Sequence, residues 1–219
     1  MKDAMSIPTD AEPPARSTYR HGDLRRALLD AGIALARDGG PEAVVLREAT
    51  RRAGVVPNAA YRHFASRLAL LQAVRAAALA DVARAMEKEL ASVDPRSDPL
   101  ARARAGVRAV GTGYLRFAQA ETGLFRTAFA TPVDVDDAPE EAKGGDSGLN
   151  PFELLGAALD RLVDAGGMPP EHRPGAEFLA WSAVHGLALL VIDGPLRGVP
   201  HAQVEALGQR LLDMVEKGL

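Results

Sequence analysis

Between residues 46 and 64, the chain carries polar side chains at a spacing that suits contact with a polyanion. Asn58 lies in the second half of this segment, and Tyr61, Arg62 and His63 lie near its end. Guanidinium, hydroxyl and imidazole groups hydrogen-bond to phosphate oxygens, and the amide of Asn58 can pair with N6 and N7 of adenine. The chemistry predicted here is non-covalent recognition of double-stranded DNA.

Residues that could do covalent or metal chemistry are scarce. The chain has no Cys, which excludes thiolate zinc sites, thiol nucleophiles and disulfides. The five His residues lie far apart, and the chain lacks a glycine-rich phosphate loop and a nucleophile elbow. The acidic stretch from Asp134 to Asp146 lacks the glycine-centred spacing of a calcium loop. We therefore expect no enzyme, no metal site and no cofactor.

The charge of the chain is distributed unevenly. Residues 16–75 carry eleven Arg against five carboxylates, a net charge of +6, whereas residues 76–219 have a net charge of −7. This asymmetry favours a polyanionic partner for the basic end alone. An ordinary three-helix packing unit with a solvated Arg-rich face would show the same charge.

The elements that must position these residues are helices. Apolar residues recur at steps of three and four almost everywhere, and aromatic residues make up only 5% of the chain, a composition that favours helix. The spacing predicts a first helix ending at residues 39–41, a second over 46–53, a turn at Gly54 and a third over 57–64. Three such helices form a compact helix-turn-helix unit.

The remainder of the chain is predicted to be helical as well. Ser66 is expected to start a long helix that runs to about Val93, and Ser97-Asp98-Pro99 to start the next, with Gly123 separating it from a short segment. Later helices are expected over about 152–162, 175–192 and 204–215. The helix over 175–192 is apolar nearly all round in its second half, which predicts burial inside a core or between subunits.

These elements give an all-α fold with three parts. Residues 1–18 are expected to be a disordered arm, and residues 19–66 a helix-turn-helix DNA-binding domain whose motif covers about 45–64. Residues 67–219 are expected to form a larger helical ligand-binding and dimerisation domain with a mobile loop at about 131–150. Because there is neither a signal-peptide pattern nor an apolar run of membrane length, we expect a cytoplasmic protein without a membrane partner.

Three stretches of the basic end resemble the TetR family of bacterial repressors. They are residues 19–32 (YRHGDLRRALLDAG), residues 53–55 (AGV) and residues 61–64 (YRHF). The resemblance implies an all-helical dimer with a DNA-binding head and a body that often holds an inducer. A shorter stretch, WSAVHG at residues 181–186, is similar to the Trp-His-Gly signature of one subgroup of the family.

The resemblance also implies roles for individual residues. Val45 and Arg47 stand at the start of the second helix, with Arg47 close to the DNA backbone. Base contacts are implied for the start of the recognition helix, and phosphate contacts for its end and for the start of the fourth helix. The implied DNA-binding set is Arg20, Val45, Arg47, Val56, Pro57, Asn58, Ala59, Tyr61, His63 and Arg67.

Two positions depart from the family pattern. The family commonly has Thr where Val45 stands and Ser or Thr where Val56 stands, so one phosphate-binding hydroxyl and one helix cap are absent. The departures keep open a second interpretation, in which the chain is a helical dimer that binds small molecules or a protein and has weakened or lost DNA binding.

The second domain contains most of the aromatic residues. Together with His185 they are candidates for the wall of an apolar ligand cavity, although plain core packing is an equal alternative. The candidates are Tyr114, Phe117, Phe125, Phe129, Phe152, Trp181 and His185. For His185 itself a hydrogen-bonded role in the core or an interface is favoured over ligand contact. The dimer interface is predicted to include Leu189, Val204, Leu207, Leu211 and Val215.

From these observations we expect a ligand-responsive repressor. A homodimer would place two recognition helices in successive major grooves of a near-palindromic operator. A small, largely apolar ligand would favour a different spacing of the two heads and release the DNA.

Overall fold

The computed structural model describes residues 21–130 and 143–218, and within them the chain forms nine α-helices and no strand. The helices are α1 (His21–Gly39), α2 (Leu46–Arg52), α3 (Pro57–Ala60), α4 (Arg67–Leu90), α5 (Pro99–Ala120), α6 (Thr122–Ala128), α7 (Pro151–Asp164), α8 (Ala176–Ile192) and α9 (His201–Gly218). The all-α fold is confirmed. The predicted arm at residues 1–18, Arg20 and residues 131–142 of the predicted loop lie outside the described residues.

Local sequence signals explain where several helices begin. The Ser66 hydroxyl accepts a hydrogen bond from the backbone of Ala69, and the Asp98 carboxylate accepts from Leu100 and Ala101. Both starts were predicted, because such side chains satisfy amide groups that have no partner within the helix. At α7 the capping box of Asn150 and Glu153 does the same.

Two predicted boundaries are corrected. The third helix was expected to reach Phe64 but ends at Ala60, and residues 61–63 continue as turns in which His63 and Phe64 donate to the Ala60 carbonyl. Gly123 does not separate two helices: it lies inside α6, and Glu121 is the residue with non-helical backbone. Gly123 has a packing role instead.

The amino-terminal head (α1 to α3) packs against the body (α4 to α9) mainly through α1. Leu28, Leu35 and Ala36 of α1 are buried, and α1 contacts α2, α4 and α6. At Gly123, α6 lies so close to α1 that a Cβ there would be 2.3 Å from the Ala36 carbonyl oxygen. The buried core therefore continues from the head into the body without a break.

The body packs α5 against α4, α7, α8 and α9. Glu87 of α4 also accepts hydrogen bonds from the backbone N–H groups of Asp146 (2.8 Å) and Ser147 (2.9 Å). These contacts hold the described end of the predicted loop, although the mobility of residues 131–150 stays a prediction. Among the described residues, no helix combines the length and apolar character needed to cross a bilayer.

Candidate DNA-binding surface and ligand cavity

The helix-turn-helix is built around a tight turn between α2 and α3. Gly54 has a φ of +67°, a left-handed conformation that glycine adopts without steric cost. The next residue, Val55, donates from its backbone to the Thr50 carbonyl at 3.0 Å and closes the turn. Thr50 and Ala60 are buried beneath it, so α2 and α3 are held at a defined angle.

The outer side of this unit presents residues that were predicted to contact DNA. Arg47, Asn58 and Tyr61 are exposed, and Ala59 and His63 are partly exposed. Tyr61 shows 58% of its surface to solvent, an unusually large fraction for an aromatic residue. Pro57 occupies the first position of α3, as predicted.

Ion pairs decide which arginines of the head remain available for phosphates. The Arg51 guanidinium donates to Glu48 at 2.6 and 2.9 Å, and this hydrogen bonding lowers the pKa of the Glu48 carboxyl. Arg52 pairs with Asp38 at 2.9 Å. Among the described residues, neither Arg47 nor Arg62 has an ion-pair partner. Arg62, which the sequence places beside Tyr61 and His63, was not in the DNA-binding set that the resemblance implied.

Arg67 is the first residue of α4, as predicted, and it makes contacts that were not predicted. Its Nε donates to the Val44 carbonyl at 2.8 Å, and its Nη2 donates to the Pro41 carbonyl at 2.9 Å. The side chain thereby ties the start of α4 to the segment before α2. Since two donors are already used, Arg67 positions the head, and any phosphate contact would have to use its remaining N–H groups.

Val45 and Val56 stand where the phosphate-binding hydroxyl and the capping hydroxyl of the family pattern are absent. Each occupies the N-cap position of its helix, α2 and α3 respectively, and neither makes a side-chain hydrogen bond to the helix. Val56 is 69% exposed, so its isopropyl group gains little from burial. The amide groups at the start of α3 therefore lack the partner that Ser or Thr would supply.

Replacing Val56 with Ser is expected to stabilise the free protein. A serine hydroxyl at this extended N-cap can accept from the α3 backbone, which is worth about 1 kcal/mol. Thermal unfolding without DNA should show a higher midpoint for Val56→Ser, and Val56→Ala, which cannot cap, is the matched control. An unchanged or lower midpoint for the serine variant would contradict the proposed capping deficit.

In the body, a cavity of about 230 Å³ opens between α4, α5, α7, α8 and α9. Four of the predicted aromatic residues lie in its wall: Tyr114, Phe129, Phe152 and Trp181. Aliphatic side chains complete most of the remaining surface. They include Leu79, Met86, Val107, Val110, Leu155, Val184, Leu212 and Val215.

A short hydrogen-bond chain fixes the inner end of the cavity. Trp181 Nε1 donates to the Tyr114 hydroxyl oxygen at 3.1 Å, and the same hydroxyl lies 2.7 Å from His185 Nδ1. Burial raises the pKa of Tyr114 above its usual range and lowers the pKa of His185. A neutral imidazole can accept a hydrogen bond from the Tyr114 hydroxyl, so the partly buried His185 has the hydrogen-bond partner that the favoured interpretation requires.

The other predicted cavity residues lie behind the wall. Phe125 is fully buried, and the centroid of its ring lies 5.3 Å from the ring centroid of Tyr114 and 4.9 Å from that of Phe129. Phe117 and His185 are also outside the cavity lining. The lining includes two cations that the sequence interpretation did not select, Arg75 and Lys143. Whether any of these residues binds a ligand stays a prediction.

The residues predicted for the dimer interface fall on two sides of the body. Leu189 and Leu207 are about 40% exposed, at 41% and 40% respectively. Val204 is buried in its own chain, and Val215 faces the cavity. Leu211 packs against the core. Val204 lies on the buried stripe of α9 with Gly208 and Leu212, and Leu211 and Val215 are partly exposed beside it. The dimer interface stays a prediction.

Two family models match the chain. One describes bacterial regulatory proteins of the tetR family and matches residues 28–74, and the other describes a tetracyclin repressor-like carboxy-terminal domain and matches residues 107–215. The Trp-His-Gly subgroup stays a prediction. A comparison with curated proteins finds no match.

Solved structures with a similar fold cover most of the chain. A protein of unknown function from Rhodococcus sp. RHA1 is 26% identical, with a TM-score of 0.73, over 93% of this chain and 99% of its own. The TetR family regulator PfmR from Thermus thermophilus is 22% identical, with a TM-score of 0.55, over 88% and 98%. A TetR variant from Acinetobacter baumannii AYE, in complex with minocycline, is 18% identical, with a TM-score of 0.57, over 89% and 91%.

Proposed function

The chain belongs to the TetR family of DNA-binding transcriptional regulators, and from this premise we propose that it is a ligand-responsive repressor that binds a near-palindromic operator as a homodimer. The observation that carries the proposal is the exposed surface formed by α2, the turn at Gly54 and α3. On this surface, Asn58 can contact the edge of a base, and Tyr61, Arg47 and Arg62 can contact phosphates. Sequence-specific DNA recognition requires both kinds of contact.

An unpartnered apolar face on the outside of the body supports the homodimer. Phe178 and Leu179 are 60% and 68% exposed, and Leu190 of the same helix is 44% exposed. Leu207 and Met214 continue this face on α9. Because a large exposed apolar face is costly in water, we propose that a second copy of the chain covers it through α8 and α9.

The cavity supports control by a small molecule. It lies between the helices that carry the proposed dimer face and the helix α4 that leads to the head. A ligand that binds one spacing of the two heads better than the other shifts the population toward that spacing. We propose that the ligand-bound spacing no longer fits successive major grooves, so that the DNA is released.

Selection of bound duplexes from a random DNA pool tests the proposal directly. The expected product is one enriched near-palindromic sequence, and its affinity for the full chain should fall steeply with added salt, because each neutralised phosphate releases counterions. Enrichment of no sequence over bulk DNA would favour the alternative, a helical ligand- or protein-binding dimer that has lost DNA binding. The exposed aliphatic side chains of Val45 and Val56 are the feature that favours this alternative.

The salt dependence also tests individual arginines. Arg62→Ala should reduce the slope of log affinity against log salt by about one and weaken binding to all sequences alike. Arg161→Ala, on an exposed position of α7 outside the head, is the control and should leave the slope unchanged. Asn58→Ala should instead relax the preference for particular bases. A slope that Arg62→Ala does not change would remove Arg62 from the phosphate-binding set.

A further inference from the structure

The polar atoms that line the cavity are mostly engaged within the protein. The Tyr114 hydroxyl and the Trp181 indole N–H bond to each other, and the hydroxyl also reaches His185. The Asn150 side chain accepts from two backbone N–H groups of α7. A ligand that needs a strong polar partner can use Arg75, whose terminal guanidinium nitrogens make no hydrogen bond to any described residue.

Arg75 lacks the carboxylate partner that several other arginines of the body have. Arg84, on the same helix, pairs with Asp81, and Arg116 and Arg173 likewise pair with carboxylates. Among the described residues, no carboxylate lies within ion-pair distance of Arg75. Its positions three and four residues away are also uncharged: Leu71, Gln72, Ala78 and Leu79.

The geometry of the Arg75 guanidinium leaves donors for a ligand. Its Nε donates to the Ala128 carbonyl at 3.1 Å, which fixes the half-buried side chain across the end of α6. The two terminal nitrogens carry four further N–H groups. A guanidinium held in this way can bind a carboxylate through two parallel hydrogen bonds, with little further loss of side-chain freedom.

The charge of the described wall has one sign. Arg75 and Lys143 are its ionised residues, and neither Asp nor Glu contributes to it. Most of the remaining surface in the described wall is apolar or aromatic. A cation beside an apolar cavity attracts an anion strongly, because the low local polarity screens the charge less than water does.

We propose that the cavity binds a small amphipathic carboxylate. Its apolar body lies among the aromatic and aliphatic residues of the wall, and its carboxylate contacts Arg75. The volume of about 230 Å³ is below the roughly 300–1,000 Å³ of drug-sized sites, which favours a short acid over a large polycyclic compound. The inference rests on the proposed ligand-responsive function and specifies the chemical class of that ligand.

Three probes of equal chain length and different charge test the inference: octanoate, octan-1-ol and octylamine. Trp181 is the single tryptophan of the chain and lines the cavity, so its fluorescence reports occupancy of this site. With the full chain, octanoate is expected to bind at least tenfold more tightly than octan-1-ol, and octylamine more weakly than either. Equal affinities for octanoate and octan-1-ol, or no response to octanoate, would overturn the inference.

Variants of Arg75 test whether its positive charge is responsible for the binding of octanoate. Arg75→Gln is expected to weaken octanoate at least tenfold and to leave octan-1-ol unchanged, whereas Arg75→Lys retains the preference for the acid. Arg84→Gln, on the same helix outside the cavity, is the matched control and should bind octanoate as the unaltered chain does. Undiminished octanoate binding by Arg75→Gln would contradict the proposed contact. Should Arg75→Gln not fold, the comparison of the three probes on the unaltered chain decides.

The two proposals can fail independently. Binding of the probes is measured without DNA, and selection of an operator is measured without probes. Octanoate binding at the cavity together with no sequence-specific DNA binding would leave the ligand inference in place and reject the repressor. Specific DNA binding together with equal affinities for the three probes would reject the ligand inference and leave the repressor proposal in place.

Discussion

Gly123→Ala is expected to destabilise the protein by about 3 kcal/mol, near the upper end of what an added methyl group usually costs in a packed core. The new Cβ would lie 2.3 Å from the Ala36 carbonyl oxygen and 2.4 Å from that of Arg37. These are backbone atoms of α1, which cannot rotate away as a side chain can. Relief therefore requires that α6 and α1 move apart, which also disturbs the ion pair between Arg37 and Glu121.

Urea unfolding of Gly123→Ala and Gly106→Ala separates this steric effect from the general effect of alanine. Gly106 lies inside α5, and a Cβ there would be 3.9 Å from Leu90, an ordinary contact. Gly106→Ala is therefore expected to be neutral or to stabilise by about 0.5–1 kcal/mol, as alanine usually does within a helix. If the two variants unfolded at the same urea concentration, the close approach of α1 and α6 would be refuted.

Phe125→Ala is expected to cost about 3–5 kcal/mol, because it removes a fully buried aromatic ring. The ring supports Tyr114 in an edge-on arrangement, with an interplanar angle of 83°, and it also contacts Phe129. Both of these residues line the cavity. Thermal or urea unfolding measures the loss of stability, and Trp181 fluorescence measures the accompanying change in the cavity wall.

Phe152→Ala is the matched control, since it makes the same chemical change at the cavity's outer rim. Phe152 is 38% exposed, so its removal gives up much less buried surface and leaves no enclosed void. Its loss should cost less than half as much as that of Phe125. Equal losses for the two variants would show that Phe125 is not the structural support of the cavity.

The predictions from sequence were most accurate where a signal acts within a few residues. The starts of α4 at Ser66 and of α5 at Asp98 follow from capping side chains, and the end of α1 at Gly39 follows from the adjacent glycine and proline. The missing cap at Val56 was likewise evident, because a cap requires an oxygen on that one side chain.

Positions whose role depends on distant partners were harder to predict. The phosphate contact of Arg67 stays a prediction, but its hydrogen bonds to carbonyl groups more than twenty residues earlier in the chain were not predicted. Gly123 was interpreted as a helix break, but its small size matters because α1 lies against it. Arg75 was overlooked in the cavity, although its lack of a carboxylate three or four residues away was visible in the sequence.

By itself, the sequence determined the helical class, the order of the helices and the basic helix-turn-helix, because periodicity, capping and charge are local properties of the chain. The tertiary structure decided which aromatic residues form a cavity wall and which support it from behind. It also decided which side of α9 is buried. Those outcomes depend on how helices far apart in sequence approach one another, and residue spacing within one helix does not specify that approach.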